Sequence, residues 1–153
     1  MKDKKEVKKR EFFNKKIRHE YEILDSFEVG IALTGVEIKA VRSGRVDMTS
    51  SYAKIMNSEV LWLGGNINVE SGERQRTRKL LLHKDQIKKL VGKTSEKGLS
   101  LLPLKLYFKK GRLKMELGVG RGLKKYEKRE KLKRKDIERE IATSIKDTRY
   151  KKQ

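Results

Sequence analysis

Residues able to do acid–base, nucleophilic or metal chemistry are scarce in this chain. Its 153 residues include two histidines, His19 and His83, and no cysteine. Sets of nucleophile, base and orienting group are correspondingly few, and neither histidine sits in a metal-binding or hydrolase string. Glu28 and Glu37 could serve as general bases, but no second group at a defined spacing accompanies either. In so basic a chain a histidine is far more often a phosphate or base contact, or a satisfied surface group, than a catalytic base. Two glycine strings resemble nucleotide loops and fail on spacing. Gly92-Lys93-Thr94 lacks the first glycine of a phosphate loop, because position 87 is Ile87. Gly118, Gly120 and Gly122 lack the third glycine of a dinucleotide fingerprint, because position 123 is Leu123, and no βαβ unit surrounds them. They read instead as a strand end where backbone passes close to a neighbour. The expectation is a protein that is not an enzyme and holds neither cofactor nor metal.

The basic residues carry a stronger signal. Forty-one Lys and Arg stand against 21 Asp and Glu, a formal charge of +20. Solubility alone does not require so much, whereas a polyphosphate partner does, since each neutralised phosphate releases counterions. Lys15, Lys16, Arg18, His19 and Tyr21 interleave cations with aromatic rings, and Arg74, Arg76, Arg78 and Lys79 form a second cluster suited to phosphate forks. Tyr21, Tyr52 and Tyr107 could stack on bases or lie half-buried in a sheet. An acidic membrane surface is the weaker alternative, given one tryptophan and 7% aromatic residues. No apolar run approaches a membrane span, and residues 1–16 lack the apolar stretch of a signal peptide. The expected compartment is the cytoplasm, and nothing in the sequence suggests an obligate oligomer, so a monomer is expected.

Charge is unevenly distributed among the elements that must position these groups. Residues 1–19 hold nine basic and three acidic side chains, residues 20–120 eighteen and twelve, and residues 121–153 fourteen and six. This describes a moderately charged body, 14–122, between a basic unstructured extension, 1–13, and a basic tail, 123–153. The body reads mainly as strands. Residues alternate between apolar and charged around Tyr21–Leu24 and Phe27–Leu33, and on both sides of Asn57-Ser58 and of Lys109-Lys110-Gly111, two hairpin turns. Thr34 and Glu37 fit a capping box opening a helix that stops at Gly44. A second helix is predicted over about Lys84–Val91, ended by Gly92. Many short strands with few helices imply a small antiparallel β-barrel of the oligonucleotide-binding type. In the tail Ile137, Ile141 and Ile145 recur at helical spacing among charges, a stripe too thin to bury alone. That tail is expected to be partly disordered alone and helical on a partner.

Several strings occur together in order: Asn14-Lys15-Lys16-Ile17-Arg18-His19-Glu20-Tyr21, Thr34 through Arg45, Ser51-Tyr52-Ala53, Arg78 through Lys84, Pro103 through Lys109, and Glu127-Lys128-Arg129-Glu130. Together they resemble the SsrA-binding protein family. That resemblance implies a barrel binding the tRNA-like domain of transfer-messenger RNA (tmRNA). It also implies delivery of that RNA to stalled ribosomes for trans-translation, with the tail in the empty messenger channel. The partners it implies are the tmRNA, the ribosome and, through the aminoacylated RNA, elongation factor Tu. Matching positions imply RNA-binding roles for Glu28, Leu81 and Lys114. The residues expected to face RNA are then Lys15, Lys16, Arg18, His19, Tyr21, Glu28, Glu37, Lys39, Arg42, Arg45, Tyr52, Arg78, Lys79, Leu81, Lys114, Arg121 and Lys124. Glu127, Lys128, Arg129, Lys133 and Arg134 are expected to face the ribosome. A ribosomal or ribosome-assembly protein that binds structured ribosomal RNA is the alternative reading.

Overall fold

The computed structural model describes residues 10–96 and 98–151. The first nine residues of the expected N-terminal extension therefore lie outside it. The elements run β1 (Glu11–Phe13), α1 (Ile17–Glu20), β2 (Tyr21–Ile31), α2 (Gly35–Arg42), β3 (Val46–Asp47), β4 (Tyr52–Met56), β5 (Glu59–Leu63), β6 (Asn66–Ile67), β7 (Arg78–Leu81), α3 (Lys84–Thr94), β8 (Leu99–Lys109), β9 (Arg112–Gly122) and α4 (Lys125–Lys151).

Six antiparallel strands close on themselves in the order β8-β4-β5-β7-β2-β9, with β9 returning to β8. The seam between β4 and β8 is the pair Ala53–Leu101. The ring is the expected small barrel, and closure leaves few strand edges exposed. Alternation along the strands sends Val29, Val60, Trp62, Leu80, Leu106, Met115, Leu117 and Val119 inward, and Val41 of α2 and Leu90 of α3 join the same core. Each such side chain contributes about 1.5–3 kcal/mol by leaving water.

Local signals explain the connections. Asn57 and Ser58 both take left-handed φ (49° and 61°), as do Lys110 and Gly111 (50° and 75°), which gives two tight hairpins whose twist matches their strands. The capping box forms: the Thr34 hydroxyl accepts from the Glu37 N–H at 3.3 Å and Glu37 Oε1 accepts from the Thr34 N–H at 3.0 Å. A smaller apolar cluster of Ile17, Leu102 and Leu104 lies apart from the main core, over the glycines of β9. A Cβ at Gly118 would come within 2.8 Å of Leu104 Cδ1, and one at Gly120 within 3.1 Å of Leu102. The glycines therefore make room for leucines.

Two expectations are corrected. Gly92 does not end its helix: α3 runs through it to Thr94, and the left-handed glycine comes later, at Gly98 (φ 85°). Tertiary contacts secure the extra turn, because the Lys93 ammonium pairs with Asp25 and lies 4.8 Å over the Phe27 ring. The stretch expected to be unstructured supplies a strand. Phe12 packs on the core while Glu11–Phe13 pairs with β8, and Arg10 donates to the Arg42 carbonyl at 2.8 Å.

The chain divides into two units, Met1–Gly122 and Leu123–Gln153. In the second, α4 carries Ile137 and Ile141 each 55% exposed. Ile145 lies outside the residues whose side chains are described. The described tail is helical from Lys125 to Lys151.

Gly65 illustrates how tightly the interior is filled, since a Cβ there would sit 2.1 Å from the buried Trp62 ring. Gly65→Ala is expected to cost about 1–3 kcal/mol or more, read as a lowered melting temperature, with Gly35→Ala, which meets nothing within 4 Å and needs no left-handed backbone, as the steric control.

Candidate RNA interface

The interface is best defined by first removing what the fold uses internally. Glu37 and Arg78, both expected to face RNA, are buried at 3% and 0% exposure. Arg78 Nε donates to Glu37 Oε2 at 2.5 Å, Nη1 to the Gly65 carbonyl at 2.9 Å and Nη2 to the Arg74 carbonyl at 3.0 Å. Its guanidinium lies 5.4 Å over the Trp62 ring. Arg76 Nη2 reaches Glu37 Oε1 at 2.6 Å. Burial alone would push the Glu37 carboxyl up, but hydrogen bonds from Arg76, the Thr34 N–H and Arg78 outweigh it and hold the group at about 2. The expectation for Glu37 and Arg78 is therefore corrected: their polar atoms are satisfied within the protein, and they shape the barrel.

The outer face of β7, β2, β9 and β8 brings together residues far apart in sequence. Leu81 pairs with Gly30, Gly30 with Lys114, and Lys114 with Tyr107, one row across four strands. Glu28 stands two residues from Gly30 along β2, on the same side of the pleat. A shallow cleft of about 560 Å³ is lined by Glu28, Gly30, Leu81, His83, Arg112 and Lys114. Leu81 is 51% exposed, an apolar platform beside a cation. Gly30 forms the floor, where a Cβ would crowd Leu81 at 3.2 Å. Glu28 accepts from the Tyr107 hydroxyl at 2.5 Å and from Lys109 at 3.3 and 3.4 Å. The Tyr107 hydrogen bond, ahead of the Lys109 and Lys114 charges, keeps the Glu28 carboxyl below the ordinary carboxylate range.

Lys16, Tyr21 and Tyr52 meet at a second cleft, of about 530 Å³, with Lys15, Arg18 and His19 exposed in the same segment. The remaining expected residues are dispersed and mostly engaged. Lys79 pairs with Glu59 at 3.2 Å, Arg121 with Glu22 at 2.9 Å and Arg45 with Glu70 at 3.8 Å. Arg42 lies 5.8 Å over the Phe108 ring, and Lys39 is exposed. In the second unit Lys124, Arg129, Lys133 and Arg134 are exposed and Glu127 and Lys128 partly so. Arg134 approaches Glu130 at 3.9 Å along the helix.

Sequence reasoning passed over Gly30, the Tyr107 hydroxyl, Lys109 and Lys105, whose ammonium lies 5.0 Å over the Tyr107 ring. One signal was available. A two-residue turn at Lys110-Gly111 pairs Lys109 with Arg112 and therefore Tyr107 with Lys114. The pairing of β2 with β9 had no such local mark.

A closed antiparallel barrel with a mixed apolar and cationic sheet face, followed by a basic helix, defines a small RNA-binding barrel protein. The family model described as SmpB protein matches residues 11–147. The SsrA-binding protein of Bacillus subtilis (strain 168) is 50% identical over 141 residues, covering 88% of this chain and 90% of its own length. That of Syntrophobacter fumaroxidans is 48% identical over 134 residues, covering 84% and 83%. A solved chain described as "tmRNA-SmpB: a journey to the center of the bacterial ribosome" matches with a TM-score of 0.64 and 41% identity, over 78% of this chain and 92% of that one. The chain belongs to the SmpB family.

The buried ion pair makes stability depend on acid. The Glu37 carboxyl moves from an ordinary 4.5 to about 2 on folding, so its contribution is complete above pH 4.5 and disappears as the pH falls through about 2. Glu37→Gln is expected to cost about 3–5 kcal/mol at neutral pH, because it strands the buried Arg78 charge. It should also flatten the stability profile between those two pH values, as measured by urea unfolding at stepped pH.

Proposed function

We propose that this protein reads the tRNA-like domain of tmRNA (SsrA RNA) with the β7-β2-β9-β8 face and faces the ribosome with α4. It is a trans-translation factor: it binds tmRNA and brings it to stalled ribosomes. The observation that carries the residue-level reading is the cleft in which Leu81, Gly30 and Lys114 fall in one cross-strand row beside Glu28.

Each group in the cleft has a part in RNA recognition. Structured RNA is read mainly at unstacked loop bases and at its backbone. Leu81 offers an apolar surface for a splayed base, and the missing Cβ of Gly30 leaves the space into which the Leu81 side chain itself leans. Lys114 supplies charge for a phosphate. Glu28, ionised and acceptor-only, takes N–H groups of base edges and avoids phosphate. Lys15, Lys16, Arg18, His19, Tyr21 and Tyr52 form a second cationic and aromatic surface for the backbone. The work is binding and positioning, without catalysis. Among the described residues no helix is long and apolar enough to cross a membrane.

The tail is a separate unit with thirteen basic side chains from residue 123 onward. Glu127, Lys128, Arg129, Lys133 and Arg134 would lie along the messenger channel, where a basic helix neutralises ribosomal RNA. The Ile137 and Ile141 stripe gives it one face to lay against a surface.

Gel-shift titration across salt tests the first part, using the tRNA-like domain against ordinary tRNA and a plain hairpin as competitors. Tight binding that resists both competitors and survives raised salt is expected. Equal binding to all three with a steep salt slope would instead indicate a generic polycation. Leu81→Asp and Lys114→Ala should each weaken binding roughly tenfold, about 1.4 kcal/mol, with the melting temperature retained. Unchanged affinity in both would remove this face from the RNA interface. Deleting residues 127–153 should leave RNA affinity nearly intact and abolish rescue in a stalled-translation assay, and persistence of rescue would overturn the tail's role.

A further inference from the structure

We propose that Tyr107 is a positioning residue for RNA recognition, its hydroxyl reaching across β9 to hold the Glu28 carboxylate as a fixed acceptor on the sheet face. This rests on the RNA-binding reading of that face.

Register shows why a long side chain is needed. Lys114 of β9 lies between Gly30 of β2 and Tyr107 of β8, so a whole strand separates the tyrosine from the strand that carries Glu28. Two inter-strand steps amount to about 10 Å. The phenol spans that gap diagonally and donates to Glu28 Oε2 at 2.5 Å. Lys109, two residues along β8 from Tyr107 and on the same side of the pleat, reaches both carboxylate oxygens at 3.3 and 3.4 Å. On the other side Lys105 lies 5.0 Å over the tyrosine ring, so the ring is itself held.

A surface glutamate samples several rotamers, and fixing it before the RNA arrives removes that entropy from the binding step. A carboxylate accepts about four hydrogen bonds, so the clamp leaves capacity for base N–H groups. The proton inventory is consistent with this arrangement. Burial of the phenol, reinforced by its hydrogen bond to Glu28, pushes Tyr107 up, so the hydroxyl keeps its proton and remains the donor. Phenylalanine at this position would preserve the packing and the Lys105 contact while losing the hydroxyl.

Full-length protein and the transcribed tRNA-like domain provide the test. Tyr107→Phe should weaken binding roughly five- to tenfold, the size of one typical net hydrogen bond. In a Glu28→Gln background the same substitution should change affinity by less than about twofold, because the carboxylate through which it acts is gone. Carboxyl-carbon NMR gives a readout that packing alone does not move: the Glu28 titration midpoint should rise toward the ordinary carboxylate range in Tyr107→Phe. A full Tyr107→Phe cost that persists beside Glu28→Gln, or an unmoved Glu28 midpoint, overturns the proposal and leaves the RNA face standing. Unchanged affinity for Leu81→Asp and Lys114→Ala overturns the face itself, and the proposal with it.

Discussion

The ion pair between Glu37 and Arg78 ties α2 to β7 and to the segment that carries Gly65 and Arg74. Arg78 is fully buried, and one of its nitrogens after another is met by Glu37, the Gly65 carbonyl and the Arg74 carbonyl. Its flat guanidinium rests on Trp62, its cross-strand partner. Glu37 is simultaneously the capping residue of α2 and the anchor of Arg76. Taking two charges out of water is costly, and the cost is recovered only when every remaining donor finds an acceptor. That condition helps set where α2 sits on the barrel and where the segment around residues 64–77 runs, while the Trp62 ring beside Arg78 leaves no room for a side chain at position 65.

With that corner fixed, strand register decides the rest. β7 leaves Arg78 inside and Leu81 outside within four residues, because successive side chains alternate faces. Leu81 is thereby set opposite Gly30, and Gly30 opposite Lys114. The same residues shifted by one position would place Leu81 in the core and Leu80 in water. The sheet face that carries Leu81, Gly30 and Lys114 thus depends on a buried salt bridge it does not contain, and the basic cluster Arg74–Lys79 divides between scaffold and surface.

Charge serves the two units differently. In the barrel most described cations near carboxylates are paired, and the face that gathers Glu28, Leu81 and Lys114 is mixed in character. In α4 the apolar stripe is narrow and exposed and basic residues predominate, which suits a helix laid against a long polyanion.

Several features were legible in the sequence because they are local. The α2 capping box and both tight turns follow from residue type and spacing, and the barrel follows from period-two alternation. The opposite fates of Gly92 and Gly98 were not legible, because the contact of Lys93 with Asp25 and Phe27 outweighs a local stop signal. The burial of Glu37 and Arg78 was hidden for a similar reason. By composition they belong to a polar surface, and only closure of the ring shows that each has its partner inside. Family likeness pointed to Glu28, Leu81 and Lys114, but their assembly through Gly30 and Tyr107 depends on β2 pairing with β7 and β9, contacts between segments some fifty to ninety residues apart. The sequence by itself determined the charge, most of the long strands and the kind of partner, since those follow from side-chain chemistry and short-range periodicity. Tertiary structure alone decided which charges are buried and which residues share a face, because strand register is a long-range property.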